Sequence, residues 1–327
     1  MYDLVAFGEA LFRFYPDHFQ RLEQANQFNL SVGGSELNIA VGLSRLGKKA
    51  AWVSRLPGNA LGRLIQNKAR EQGVDTSHIV WCKEGRIGVY YLEFGASPRN
   101  SKLIYDRKDS TVSQVKKGEI NWNEVLKKAK ILKISGITPA LSHQAKEVTY
   151  EAVEAAKRNN CKVCIDLNYR ALLWTEKEAY QCMDPLMYQT DILSTTEEDA
   201  YRVLKIESTD YEDVARKIHK KYGTEVIAIT LRDNLTIWKN RWTAIALLQD
   251  KIYKTREYEI DLVDRVGGGD SFTAGFLWGY LNQNIQEGLD YGVAFSAIKQ
   301  THPGDFCISN LAEAQQLFQG GHLRITR

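Results

Sequence analysis

Residues 129–168 read AKILKISGITPALSHQAKEVTYEAVEAAKRNNCKVCIDLN. AKILKISGI is a short apolar run broken at Gly136, QAKEVTYEAVEAAKRNN has the length and apolar spacing of a helix, and KVCIDLN is a second apolar run. Strand, helix and strand follow one another. The pattern continues outward in both directions. Upstream, LVAFG is a buried strand closed by a turn at Gly8. Residues 35–46 then place Leu37, Ala40, Val41 and Leu43 on one helical stripe, with Ser35 as N-cap and Gly47 as C-cap, and KAAWVS reads as the next strand. LGRLIQNKAREQG is an amphipathic helix ended by Gly73. Downstream, YEDVARKIHKKYG is a helix and TEVIAITL a strand. Alternation of this length predicts an α/β fold, a mainly parallel sheet with helices on both faces.

Two stretches break the alternation. IGVYYLEFG (87–95) and KLIYDR (102–107) are strand-like and are joined by polar ASPRNS, so they predict a hairpin inserted between βα units, placed to act as a lid. No repeat, low-complexity tract or linker divides the chain. The expectation is one unit over 1–327, with a β lid from about 9–32 and 86–113 set into it.

Composition bounds the partners. Hydrophobic residues at 44% and charged residues at 25% describe an ordinary globular chain. The formal net charge is +3, from 43 Lys and Arg against 40 Asp and Glu with both signs interspersed, so no basic stripe exists for nucleic acid. The N-terminus lacks a basic start and an apolar run, and no stretch is apolar for long enough to cross a bilayer; the expected location is the cytoplasm, without a membrane partner. Five cysteines without framework spacing fit a reducing compartment. Cys161 and Cys164 form a CxxC at the start of a strand, but no second pair or nearby His completes a ligand set, so they read as packing residues.

The chemistry is concentrated in DLVDRVGGGDSFTAGFLWGYL (261–281). Gly267, Gly268 and Gly269 lead into a helix whose apolar positions are Phe272, Phe276, Leu277 and Tyr280, with Asp270 in its first turn. Such a junction aims unpaired N–H groups and the positive end of the helix dipole at one point, and glycine lets an anion approach the main chain. An Asp in a first turn often only complements the dipole. An anion cradle beside a carboxylate is a stronger signal, because phosphoryl transfer needs charge stabilisation at the moving phosphate and a base at the attacking hydroxyl. Rival phosphate motifs fail: GLSRLGKK (42–49) has Lys49 where a P-loop needs Ser or Thr and lies at a helix end, and no GxGxxG follows the first strand.

With GGSELNIA at 33–40 and DRVGGGDSFTAGF at 264–276, the chain resembles the ribokinase-like, or PfkB, family of carbohydrate kinases. The resemblance implies a three-layer α/β sandwich with a small β-strand lid, ATP and Mg²⁺ as cofactors, and possible use of a monovalent cation. It also implies that Gly267, Gly268 and Gly269 form an anion hole and that Asp270 is the base. RLEQANQFNLSVGGSELNIAVGLSRLG, IYDRKDSTVS, DLNYRALLW and THPGDF look most like the 2-keto-3-deoxygluconate kinases, which implies sugar-acid contacts from Gly34, Asn38, Tyr90, Tyr105, Arg107 and Arg170. Arg suits a carboxylate because its guanidinium binds one bidentately. Period-two alternation puts Tyr105 and Arg107 on one strand face and Asp106 on the other, although Tyr and Arg on an exposed strand also stack or snorkel without any ligand. Arg170 follows a strand ending at Asp166, the edge where open parallel sheets bind ligands.

The same resemblance implies ATP and Mg²⁺ contacts from Ser194, Glu197, Thr230 and Arg232, with no residue assigned as a direct metal ligand. Three departures from the family pattern stand out: Arg265 replaces Thr in the C-terminal signature, Ser194-Thr195-Thr196-Glu197 replaces Asn-x-x-Glu, and Arg232, Asp233 and Asn234 follow Leu231 where a glycine-containing nucleotide loop is usual. The expected activity is phosphorylation of a terminal hydroxyl of 2-keto-3-deoxygluconate. The alternatives are a kinase for a neutral sugar such as fructose, favoured if Arg107 and Arg170 pair with protein carboxylates, and a sugar-acid-binding protein without turnover. The open edges of the inserted hairpin favour a homodimer through the lid.

Overall fold

Alternating side chains of a strand project to opposite faces, and in this chain both sets are apolar, so the central sheet must be covered on each side. The computed structural model describes residues 1–320; the expected unit ran to 327, and residues 321–327 lie outside the described residues. The chain opens with β1 (Tyr2–Phe7), β2 (Leu11–Tyr15), β3 (Asn29–Gly33), α1 (Ser35–Arg45) and β4 (Ala50–Val53). Short strands β5 (Arg55–Pro57) and β6 (Val80–Cys82) pair with each other around α2 (Ala60–Glu71). The hairpin β7 (Gly88–Glu93) and β8 (Lys102–Asp106) follows, and α3 (Trp122–Leu126) leads into the crossover unit: β9 (Ala129–Ser135), α4 (Ile137–Ala140), α5 (His143–Arg158) and β10 (Lys162–Asp166). Next come α6 (Glu176–Met187), β11 (Ile192–Thr195), α7 (Glu197–Leu204) and α8 (Tyr211–Tyr222). Four strands, β12 (Val226–Asn234), β13 (Lys239–Leu248), β14 (Lys251–Lys254) and β15 (Tyr258–Asp261), precede α9 (Gly268–Leu281), α10 (Ile285–Lys299) and α11 (Leu311–Phe318).

The main sheet runs β14-β13-β12-β11-β10-β9-β1-β4, with β15 also paired to β13. The six strands from β12 to β4 are parallel, and β13 turns back antiparallel. Leu4, Ala6, Ile131 and Cys164 face one apolar layer with α1, α9 and α10, while Val5, Phe7, Leu132 and Val163 face the other with α5, α6 and α8. This is the three-layer sandwich expected. Among the described residues no helix is long and apolar enough to cross a membrane. Cys161 and Cys164 are buried free thiols, pushed up to about 12 and about 11 by burial.

A second sheet, in the order β3-β2-β7-β8, stands off the main one. The β7–β8 hairpin is antiparallel with Tyr90 opposite Tyr105. It pairs with β2 in parallel, Arg13 lying opposite Tyr90.

Four local expectations need correction. The first turn of α1 starts at Ser35 with Gly34 at the N-cap, so no side chain caps it, and the Ser35 hydroxyl donates to Asp270 instead. Gly47 sits one residue past the cap Leu46, with φ 83°. The apolar positions expected on α9, Phe272, Phe276, Leu277 and Tyr280, are not one buried face: the helix is buried on nearly all sides between α1 and α10. Its close approach to α10 is possible only because both sides carry glycine, since a Cβ on Gly279 would lie 2.2 Å from the Gly288 Cα. Finally, Arg232, Asp233 and Asn234 continue strand β12 and pair with Trp242, Arg241 and Asn240, so no nucleotide loop begins there.

Candidate active site

The carboxyl ends of β10 and β11, the first turns of α1 and α9, and the small sheet enclose a cleft of about 640 Å³. Asp270 lies in it, on the first turn of α9. Ser35 Oγ donates to Asp270 Oδ1 at 2.7 Å and Asn38 Nδ2 donates to Oδ2 at 2.6 Å. Asn38 is itself oriented by the Gly34 N–H, which donates to its Oδ1 at 3.2 Å. Burial pushes the Asp270 carboxyl up to about 6; the bonds from Asn38 and Ser35 oppose the rise, and the charges of Asp166 and Glu36 add to it. At neutral pH the group is therefore an ionised carboxylate of raised basicity.

The cradle is immediately before it. Gly267 caps α9 with φ 82°, and a Cβ there would lie 2.1 Å from the Asp305 carbonyl oxygen, so the site requires glycine on two counts. Ser296 Oγ donates to the Gly268 carbonyl at 2.7 Å. Among the described residues the N–H groups of Gly269 and Asp270 have no backbone acceptor, as the first turn of a helix leaves them. The arrangement offers an anion N–H donors within one residue of a base.

The other expected residues divide. Gly34, Tyr90, Tyr105, Arg107, Arg170, Ser194, Thr230 and Arg232 all line the cleft. Tyr90 and Tyr105 stack with centroids 5.4 Å apart, and the Tyr90 hydroxyl donates to Asp305 Oδ2 at 2.6 Å. Arg107 faces the cleft from the same strand side as Tyr105, but Glu9 accepts from its Nε at 2.9 Å and from its Nη2. Its charge is therefore matched within the protein. Arg170 is different: it is exposed in the cleft and forms no ion pair among the described residues, donating only to the Tyr169 carbonyl at 3.2 Å. Ser194 Oγ is paired with Thr273 Oγ1 at 3.0 Å.

Glu197 points out of the cleft into a neighbouring hollow, while Asp199 lines the cleft. The pair at the expected spacing is thus Thr196 and Asp199: Thr196 caps α7, accepting from the Asp199 N–H at 3.1 Å. Asp199 is pushed up to about 7, chiefly by burial and next by the charge of Asp166. Arg265 also reaches the cleft, donating to the Ile237 carbonyl at 3.2 Å, and lies close enough to Arg232 to feel its charge.

Sequence reasoning passed over the buried cluster behind the cleft. Arg13, from β2, is fully buried and meets Asp264 at 2.6 Å and Asp305 at 3.0 Å. It ties the small sheet to the two loops beside the cradle. Asp305 lies in THPGDF, quoted above only for its resemblance, and Arg13 in FRF carries no motif that would mark it.

A family model described as pfkB family carbohydrate kinase matches residues 1–309. The chain belongs to this family. It is 32% identical to a 2-dehydro-3-deoxygalactonokinase of Haloferax volcanii over 99% of both chains. The crystal structure of 2-dehydro-3-deoxygluconokinase from Thermotoga maritima superposes with a TM-score of 0.94 at 36% identity, covering 97% of this chain and 98% of that one. A putative ribokinase II from E. coli, solved with ATP and Mg²⁺, shares the fold at a TM-score of 0.85 and 18% identity, covering 98% of this chain and 99% of that one.

Proposed function

We propose that this kinase transfers the terminal phosphate of ATP to a terminal hydroxyl of a 2-keto-3-deoxy sugar acid, 2-keto-3-deoxygluconate being the favoured substrate. The observation that carries the reading is Asp270, a carboxylate raised to about 6 and held by Ser35 and Asn38 one residue from the glycine cradle, in a cleft that also exposes the Arg170 guanidinium. The names of the two relatives above, both kinases for keto-deoxy sugar acids, support the substrate class.

In this reading Asp270 accepts the hydroxyl proton as the oxygen attacks, and the N–H groups of Gly269 and Asp270 meet the charge on the moving phosphate. Arg170 receives the sugar-acid carboxylate, Arg107 is held by Glu9 as a wall of the sugar site, and Tyr105 stacks on Tyr90 above it. Arg232 and Arg265, two cations at one part of the cleft, suit the nucleotide phosphates. Mg²⁺ fits Asp166 and Asp199: their mutual repulsion favours a divalent cation, and two carboxylates suffice for an ion that keeps several waters. When bound, Mg²⁺ neutralises charge on the phosphates. The small sheet closes over the sugar as a lid and excludes water.

The pairing of Arg107 with Glu9 favours the neutral-sugar alternative, and the free guanidinium of Arg170 opposes it. ADP release over 2-keto-3-deoxygluconate, gluconate, fructose and ribose decides between them. Turnover should be confined to the keto-deoxy acid, and Arg170→Ala should raise its KM about 10- to 100-fold, the loss of one charge-assisted contact. Turnover on fructose alone, or an unchanged KM, would discard the carboxylate assignment.

Because Asp270 must be ionised to accept a proton, kcat/KM, which reports the free enzyme, should fall about tenfold per pH unit once the pH drops below about 6. An inflection at about 4, the ordinary carboxylate range, would mean that the Asp270 carboxyl is not raised in the working enzyme.

The edges β3 and β8 of the small sheet expose Leu30 and Ile104 at 44% and 43%. Such edges and apolar side chains favour a homodimer through the lid. Light scattering should give twice the chain mass, and a monomer at all concentrations would remove this assignment.

A further inference from the structure

Beneath the cradle lies a charged group for which the phosphoryl-transfer reading has no use. Lys299, in the last turn of α10, is fully buried. Its Nζ donates to the main-chain carbonyl of Asp264 at 3.1 Å and to that of His302 at 3.5 Å. A Cβ on Gly267 would lie 3.4 Å from the Lys299 Cε, so the side chain runs directly under the first glycine of the cradle. The same turn of α10 supports the loop elsewhere: Ser296 Oγ binds the Gly268 carbonyl, and the Gln300 carbonyl accepts from the Val263 and Asp264 N–H groups at 2.8 and 3.1 Å.

We propose that Lys299 is the resident cation of the phosphate cradle: its ammonium, held by carbonyls of the loops on either side of Gly267–Gly269, fixes the cradle so that turnover needs no added monovalent cation. Buried carbonyls that converge on one point need a cation or a donor between them, and here a covalently attached ammonium supplies both. Its charge is balanced locally. Two cations, Arg13 and Lys299, share the buried cluster with two carboxylates, Asp264 and Asp305. Burial lowers the Lys299 pKa, and the charges of Asp264 and Asp305 oppose that shift. A monovalent cation from solution would have to displace the ammonium from these carbonyls, so the residues present do not fit one there. Lys299 touches neither substrate nor phosphate in this scheme; it is a positioning residue.

The proposal rests on the kinase reading for its activity arm, but not for its stability arm. Turnover and Tm of the wild-type protein are compared in potassium chloride and in tetramethylammonium chloride at equal ionic strength, and then for Lys299→Ala and Lys299→Met. The wild type should differ by less than about twofold in kcat between the salts and show the same Tm, because no ion binds. Both variants should lose about 100-fold in kcat, the size of effect seen when charge stabilisation of a reacting anion is disturbed. Potassium or methylammonium should raise the Tm and restore turnover of Lys299→Ala, which leaves room for an ion, and should do neither for Lys299→Met, which fills the space without charge. A wild type stimulated about tenfold by potassium with a higher Tm would overturn the proposal, as would a Lys299→Met variant of wild-type rate or a Lys299→Ala variant that responds to no cation. If Lys299→Ala does not fold, the wild type and Lys299→Met decide. If the wild type phosphorylates no sugar in either salt, the kinase reading fails, and the Tm comparison still tests the cation.

Discussion

The site depends on one contact between parts of the chain that are far apart in sequence: Ser35 and Asn38 in the first turn of α1 hold both carboxylate oxygens of Asp270 in the first turn of α9. Two helix N-termini must therefore meet at one point. That meeting is set by packing, because α1 and α9 lie against each other with Gly42 facing Ala274, and α9 in turn packs onto α10 through Gly279 and Gly288. A methyl group at these crossings would separate the helices by more than a hydrogen bond can follow. The apolar layer on this face of the sheet thus fixes the position of the Asp270 carboxylate in the cleft.

Charge behind the cleft is arranged in closed groups. Arg13 and Lys299 face Asp264 and Asp305, and Arg107 faces Glu9, whose other oxygen accepts from Ser110. Removing one member would leave a buried partner uncompensated, which costs far more than the pair contributes. The exposed cations of the cleft, Arg170, Arg232 and Arg265, have no carboxylate at hydrogen-bond distance among the described residues. The small sheet belongs to both systems, since Arg13 anchors it while Tyr105 and Arg107 line the cleft.

The sequence made the parallel core legible because buried parallel strands are uninterrupted apolar runs, and helices such as α5 and α8 show a clear stripe. The helix start at Gly267–Gly269 with Asp270 in its first turn was legible because three glycines beside an apolar helical run mark such a junction. Strands β13 to β15 were not assigned, since KNRWTAIALLQDKIYKTREYEID mixes charges into strands that lie at one edge of the sheet. The four apolar positions read on α9 understate its burial, because that helix is covered on nearly every side. Spacing counted from Ser194 selects Glu197, but α7 is capped at Thr196, and Asp199, three residues from that cap, is the carboxylate that lines the cleft. Arg107 matched the expected strand face, but its partner Glu9 lies 98 residues away, a distance no local pattern spans.

The most direct test of the account is Asp270→Asn, measured by single-turnover phosphoryl transfer together with calorimetric binding of ATP and the sugar acid. The replacement keeps size and shape, so both ligands should bind nearly as before while the transfer step slows by about 10²- to 10⁴-fold, the usual contribution of a positioned base. Transfer at close to the wild-type rate would contradict the assignment of Asp270 as the base, whatever the sugar proves to be.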